Sequence, residues 1–282
     1  MEIKKAYKIT YFQEIDSTNT YALRNISDLS DKQVLSADKQ TAGRGRFDRK
    51  WVSDREDNVY ISLILKPCSS INISKQKGFS DLGKSQTIEG LVTSENRITN
   101  SYPTCYNNLP LAGLAQYMSV IICRILETYG VQAEIKWPND VRVNGAKIAG
   151  LLSQASFKGA EFKGLILGVG INLNLAEEDL NKIDIPATSL NLLTGKPVDK
   201  EIFIEKLLDE FFENYEFFLI HGFPFIKEEY VCRNCFLGKK ISVKNPELLF
   251  SGIAKEIKDD GSLIILDEAM QERQVITGDI EF

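Results

Sequence analysis

The chain has 282 residues, enough to bury a sizeable core in one large domain or two unequal ones. Hydrophobic residues make up 43% and charged residues 26%, which excludes a disordered, collagen-like or disulfide-stapled chain. Lys and Arg number 34 against 39 Asp and Glu, a net charge of -5, so the basic footprint usual for nucleic-acid binding is missing.

The first residues, MEIKKAYKITYFQEI, contain lysines but no apolar stretch with a small-residue cleavage site. They read as a strand over 7–15, not as a signal peptide. Asp16 or Ser17 is placed to cap a helix running through Leu23 and Ile26. Strands are predicted at 34–38 and 58–66, the second a nearly unbroken apolar run. Residues 67–108 are rich in Ser, Asn, Lys and Thr without periodicity and are expected to form an insertion. A helix is predicted over 110–129, with Leu111, Leu114, Met118, Ile121, Ile122 and Ile125 on one face and Gly130 ending it. Strands follow at 133–137, 141–143, 147–156 and 164–175, with Asn144-Gly145 as a hairpin turn. Asp199 is predicted to cap an amphipathic helix carrying Phe203, Leu207, Leu208, Phe211, Phe212, Tyr215 and Phe218, and a shorter helix is placed at 223–233.

After Cys235 the pattern changes to short strands between turn signals, a small all-β barrel of about fifty residues. The predicted organisation is a domain over 1–234 and a second over 235–282. The larger mixes hairpins with helices, so the fold class is α+β. Five cysteines, an odd number, read as reduced thiols in a cytoplasmic protein. Cys232 and Cys235 form one CxxC, without the second pair or the histidines a structural zinc site wants. No apolar run is long enough to span a bilayer.

Three segments carry chemistry. Gly43-Arg44-Gly45-Arg46-Phe47-Asp48-Arg49-Lys50-Trp51 combines glycines, which permit close backbone approach, with cations suited to phosphates and carboxylates. Its cations repel one another, so it is expected to order around an anion; the bland alternative is a solvated basic turn. Lys136-Trp137-Pro138-Asn139-Asp140 precedes Asn144-Gly145-Ala146-Lys147-Ile148-Ala149-Gly150. A lysine beside small residues can reach an anion, and Asp140 can orient or deprotonate a nucleophile; the alternative is an ordinary hairpin. Gly168-Val169-Gly170-Ile171-Asn172 places glycines in an apolar strand, a sign of close approach, and Asn172 offers a donor and an acceptor to a base edge.

Taken together and in this order, EIDSTN, KQTAGRGRFDRKW, KWPNDV, NGAKIAGLL and GVGINLN resemble the catalytic core of the biotin protein ligases over 7–66 and 108–195. The C-terminal segment resembles their SH3-like domain more weakly. The resemblance implies a class II synthetase-like catalytic fold, a mixed sheet flanked by helices, followed by an SH3-like β-barrel. It implies two-step ligation: biotin and Mg-ATP give biotinyl-5′-AMP, and a lysine of a biotin carboxyl carrier protein then takes the biotin. By the same resemblance, biotin is bound by Ser17, Thr18, Asn19, Gln40, Gly43, Arg44, Trp51, Lys147, Gly150 and Gly168. ATP or adenylate is bound by Arg46, Arg49, Asn139, Lys147 and Asn172. Lys147, Arg46, Asp140 and Lys136 surround the reacting centre. Magnesium is expected with the ATP, not at a protein-only site.

Some members of that family carry an N-terminal DNA-binding winged helix. Here the core motifs begin within the first residues, so the form expected is the one without it. No nucleic-acid or membrane partner is expected, and the assembly is a monomer or homodimer. Rivals are a lipoyl or octanoyl transferase of the same fold and a non-catalytic biotin or adenylate sensor. Residues 78–85 also satisfy GxxxxGK[ST], but neither a buried strand before them nor a good helix start after them supports a phosphate loop.

Overall fold

The computed structural model describes residues 5–66, 113–159, 161–180, 182–244 and 249–282. The predicted insertion at 67–108, with Cys68, Cys105 and the GxxxxGK[ST] pattern, lies outside them, as do Leu111 and the predicted start of its helix.

Strands β1 (Lys8–Ile15), β2 (Gln33–Gln40), β3 (Val59–Leu65), β4 (Glu134–Lys136), β5 (Asp140–Val143), β6 (Ala146–Lys158) and β7 (Glu161–Ile171) form one sheet in the order β1-β2-β3-β7-β6-β5-β4. β1 and β2 run parallel and the other pairs antiparallel, so the sheet is mixed as predicted. β3 is buried at every position because both faces of the sheet are covered. Val59, Ile61, Leu63 and Leu65 join the main core, while Ile64 packs with Ala22, Ile26, Leu35 and Ile166 under helix α1 (Thr18–Arg24). Ser17 caps α1, accepting from the Thr20 amide at 3.4 Å.

Helix α2 (Leu114–Thr128) covers the other face, and Leu114, Met118, Ile121, Ile122 and Leu126 are fully buried. Each such side chain stabilises the fold by about 1.5–3 kcal/mol. Gly130, at φ +77°, stops the helix in the left-handed conformation that glycine tolerates. Short helices α3 (Glu177–Leu180) and α4 (Leu190–Thr194) were not predicted. The single predicted helix after Asp199 is two, α5 (Lys200–Glu213) and α6 (Tyr215–His221), broken at Asn214. The predicted inward residues remain buried on both pieces. The helix placed at 223–233 is a 3-10 turn at Phe223–Phe225 followed by α7 (Lys227–Cys232), because Pro224 follows the positive-φ Gly222. Asn144 and Gly145 have φ of +51° and +80° and make the predicted hairpin turn between β5 and β6.

The C-terminal strands β8 (Lys240–Lys244), β9 (Leu249–Ile257), β10 (Leu263–Leu266), β11 (Glu272–Val275) and β12 (Asp279–Glu281) form a separate antiparallel sheet in the order β11-β10-β9-β8-β12. Its apolar side chains, among them Ile241, Val243, Ile257 and Ile265, belong to the same core cluster as the larger sheet. One turn anchors the two sheets together. The buried Trp137 indole donates to the Gly261 carbonyl at 3.0 Å, and Gln116 Nε2 donates to the same oxygen at 2.9 Å. Gly261 sits at φ +79°, and a Cβ there would lie 2.3 Å from Gln116 Oε1. Gly261→Ala is therefore expected to cost about 2–3 kcal/mol of stability, through backbone strain and the lost hydrogen bonds. Urea unfolding measures it, and an unchanged midpoint would contradict this anchor.

Cys123, Cys232 and Cys235 are free. Burial pushes the Cys123 thiol up to about 12, so it is inert at neutral pH.

Candidate active site

Strand register assembles the site. Residues directly opposite in antiparallel strands share a face. Lys136 pairs with Asp140, Asp140 with Gly150, Gly150 with Gly170, and Gly170 with Tyr60. One row across five strands thus carries a cation, a carboxylate, two glycines and a tyrosine. The neighbouring row is Leu152, Gly168 and Ser62. Both rows face the α1 side, where the glycines strip side chains from the middle of the sheet. A cleft of about 850 Å³ lies there. Its walls include every candidate residue except Gly43. Gly43 lies beside it and packs closely: a Cβ would lie 2.4 Å from Ser53 Oγ and 2.5 Å from the Trp51 carbonyl oxygen.

One end of the cleft is a polar pocket. Gln40 Oε1 accepts from the Thr18 amide at 2.9 Å and from the Thr18 hydroxyl at 3.2 Å. The Ser62 hydroxyl lies 2.7 Å from Thr18 Oγ1 and 2.5 Å from Asn19 Oδ1, with one proton to share between them. Asn19 Nδ2 donates to the Leu152 carbonyl at 3.2 Å and to Gln154 Oε1 at 3.0 Å. Asn19 fits only because Gly168 has no side chain; a Cβ there would lie 2.4 Å from Asn19 Oδ1.

The other end is charged. Lys147 Nζ lies 2.7 Å from Asp140 Oδ1 and 5.2 Å from the centre of the Trp51 ring. The indole rests on the glycine floor, where a Cβ on Gly170 would come within 2.5 Å of it and one on Gly150 within 2.8 Å. Arg46 NH1 donates to Asn139 Oδ1 at 3.0 Å and to the Gly278 carbonyl at 3.3 Å, and NH2 donates to Thr277 Oγ1 at 2.8 Å. Asn139 is fixed in turn by donating to the Leu151 carbonyl at 2.5 Å. Burial pulls the Arg46 guanidinium below its ordinary pKa, opposed by Asp279 and Asp140. The loop was expected to order around an anion. Here the chain supplies one, Asp279, which pairs with Arg49 at 2.5 Å and lies 3.6 Å from Arg46. The backbone closes on itself through Gly45 N to Arg49 O at 2.7 Å and Trp51 N to Gly43 O at 3.0 Å. Arg44 lies on the cleft wall, in a bridge with Lys50. Asn172 has Nδ2 committed to the Thr188 carbonyl at 3.0 Å, which leaves Oδ1 as its acceptor.

Burial lowers the Lys136 pKa from 10.5, outweighing the pull of Asp140. A lysine with a lowered pKa loses its charge at a lower pH than an exposed one. Any activity that needs Lys136 charged should therefore fall on the alkaline side below pH 10.5. Lys136→Arg, which stays charged, should move that limb upward. A pH–rate profile of both proteins checks this; coincident limbs would remove Lys136 from the site's chemistry.

Sequence reasoning missed Tyr60, Ser62, Gln154, Thr277 and Asp279. Ser62 carries a local signal, a polar residue inside the apolar run VYISLIL. Thr277 and Asp279 carry none, since they reach Arg46 from 231 and 233 positions away.

The fold and the cleft define a class: a mixed-sheet core with an appended β unit, gathering cations beside a polar pocket. The chain belongs to the biotin/lipoate A/B protein ligase family, whose model matches residues 11–172. It is 30% identical over 265 residues to the biotin–[acetyl-CoA-carboxylase] ligase of Paracoccus denitrificans, covering 93% of this chain and 94% of that one. It is 29% identical over 249 residues to the bifunctional ligase/repressor BirA of Bacillus subtilis, covering 88% of this chain but only 65% of that protein's length. Among solved structures, the biotin protein ligase of Aquifex aeolicus in complex with biotin and ATP matches with a TM-score of 0.70 and 26% identity, over 97% of both chains. That match bears out the predicted catalytic fold and its C-terminal β unit. Among the described residues no helix is long and apolar enough to cross a membrane.

Proposed function

We propose that the chain is an ATP-dependent biotin protein ligase. It forms biotinyl-5′-AMP from biotin and ATP, then transfers biotin to a lysine of a biotin carboxyl carrier protein in the cytoplasm. The observation that carries this reading is the convergence of Lys147, Arg46 and Lys136 on a side-chain-free floor beside the pocket of Thr18, Asn19 and Gln40.

In the first step a biotin carboxylate oxygen attacks the α-phosphorus. The bond to the bridging oxygen breaks, and pyrophosphate leaves with its electron pair. The obstacle is the repulsion between two anions, which preorganised cations offset most strongly in a partly dehydrated cleft. Lys147 is a compact point charge for that place and would exchange Asp140 for the substrates' oxygens. Arg46 and Arg49 take phosphate oxygens. Asn172 offers its carbonyl to the adenine amino group. Trp51 covers the floor and shields the mixed anhydride from water. In the second step the carrier's lysine amine attacks the acyl carbon, AMP leaves, and the amine proton passes to Asp140. Magnesium would arrive on the nucleotide's phosphates and neutralise the leaving pyrophosphate. Among the described residues no group of three His, Cys, Asp or Glu side chains offers it a protein site.

The polar pocket favours biotin over lipoate or octanoate. A ureido ring has two N–H donors and a carbonyl to match hydroxyl and amide partners. An octanoyl chain or a dithiolane ring has no matching donors and acceptors, so it gains none of the hydrogen bonds that would offset desolvating the pocket. The test is transfer of labelled biotin to a carrier domain with ATP. Label on the carrier's acceptor lysine supports the reading. A folded protein that binds biotin and ATP without transfer would favour the sensor instead.

A further inference from the structure

The arginine loop places Arg44, Arg46, Arg49 and Lys50 within seven residues. Two of these cations converge on one carboxylate from the far end of the chain. Asp279 opens β12 and is only 18% exposed at its side chain. The two arginines meet it differently. Arg46 is 16% exposed and has three neutral partners besides: Asn139, Thr277 and the Gly278 carbonyl. Arg49 is 63% exposed and meets Asp279 at 2.5 Å. Removing the Asp279 charge therefore leaves Arg46 held and only Arg49 released.

We propose that Asp279 is a resident counter-ion of the phosphate site. It holds the exposed Arg49 beside the cleft and gives up that guanidinium when phosphate groups arrive. β12 thereby sets how tightly phosphate groups bind. A polyphosphate carries more charge than one carboxylate and so displaces it. Asp279 stays nearby as a like charge, which weakens the hold and favours release of the anion. The nature of the natural anion rests on the ligase reading above; the exchange between carboxylate and phosphate does not.

The test is calorimetric titration of the full chain with inorganic pyrophosphate. Asp279→Asn removes the charge and keeps the shape, and is expected to bind about fivefold tighter than the parent, the effect of one like charge at a partly exposed site. Asp279→Ser should change in the same direction, which guards against one variant failing to fold. Asp279→Glu keeps the carboxylate and should bind like the parent. Thr277→Val removes an Arg46 partner but no charge, and should bind about fivefold weaker. A purely structural Asp279 would make the Asn and Ser variants weaker along with Thr277→Val. That result, unchanged affinity, or no pyrophosphate binding by parent and Asp279→Asn alike would overturn the proposal. Absence of biotin-dependent turnover with this affinity pattern intact would count against the ligase reading alone.

Discussion

Lys147→Ala is expected to lower biotin-dependent adenylation by about 100- to 1,000-fold, the loss typical when one preorganised charge is removed from a site of developing charge. Lys147 follows the Asn144-Gly145 turn and leans back over Gly150, where its Cε would lie 2.8 Å from an added Cβ. Its ammonium reaches Asp140 and lines the cleft. The fold should survive. The Lys147–Asp140 pair is mostly shielded, at 16% and 19% exposure, so losing it costs about 1–3 kcal/mol. Asp140 also keeps Lys136 opposite it on the ladder. Single-turnover formation of the adenylate, with melting temperature alongside, checks both halves. Near-parent adenylation by the variant would remove Lys147 from the centre of the account.

Gly170→Ala is expected to lower activity about 10- to 100-fold, by the misplacement that follows when a covering side chain is pushed off its floor. The added methyl would lie 2.5 Å from Trp51 Cε2 and 2.7 Å from Nε1, closer than real contacts allow. The β-ladder itself tolerates alanine, so stability should fall by only about 1–3 kcal/mol, the usual cost of overpacking. A double-mutant cycle isolates the cause. Trp51→Ala removes the ring that Gly170→Ala strikes, so the double variant should be more stable than the two single losses add up to. Strict additivity would mean that the ring does not rest on Gly170.

How much of this was legible in the sequence depended on where each signal lies. VYISLIL reads as a strand because a centre covered on both faces needs an apolar residue at nearly every position. Asn144-Gly145 reads as a turn because both residues accept positive φ. The arginine loop, KWPND and GVGIN are contiguous, so their chemistry was visible. Their meeting was not, because it follows from register: the row from Lys136 to Tyr60 joins five strands, of which a local pattern pairs only β5 with β6. The glycines of β7 pointed to close approach, but only packing shows that Asn19 and Trp51 fill the space. Asn214 breaks a helix whose apolar spacing runs straight through it. Thr277, in the bend before β12, and Asp279, which opens it, have nothing to mark them, although they reach the arginine that the sequence singled out.

Acid activation is read out by biotin-dependent exchange of pyrophosphate into ATP, with lipoate and octanoate as parallel substrates. Exchange is expected with biotin, with little for the other two acids, and it should be lost in Lys147→Ala. A folded sample that exchanges with none of the three, or only with lipoate or octanoate, would contradict it.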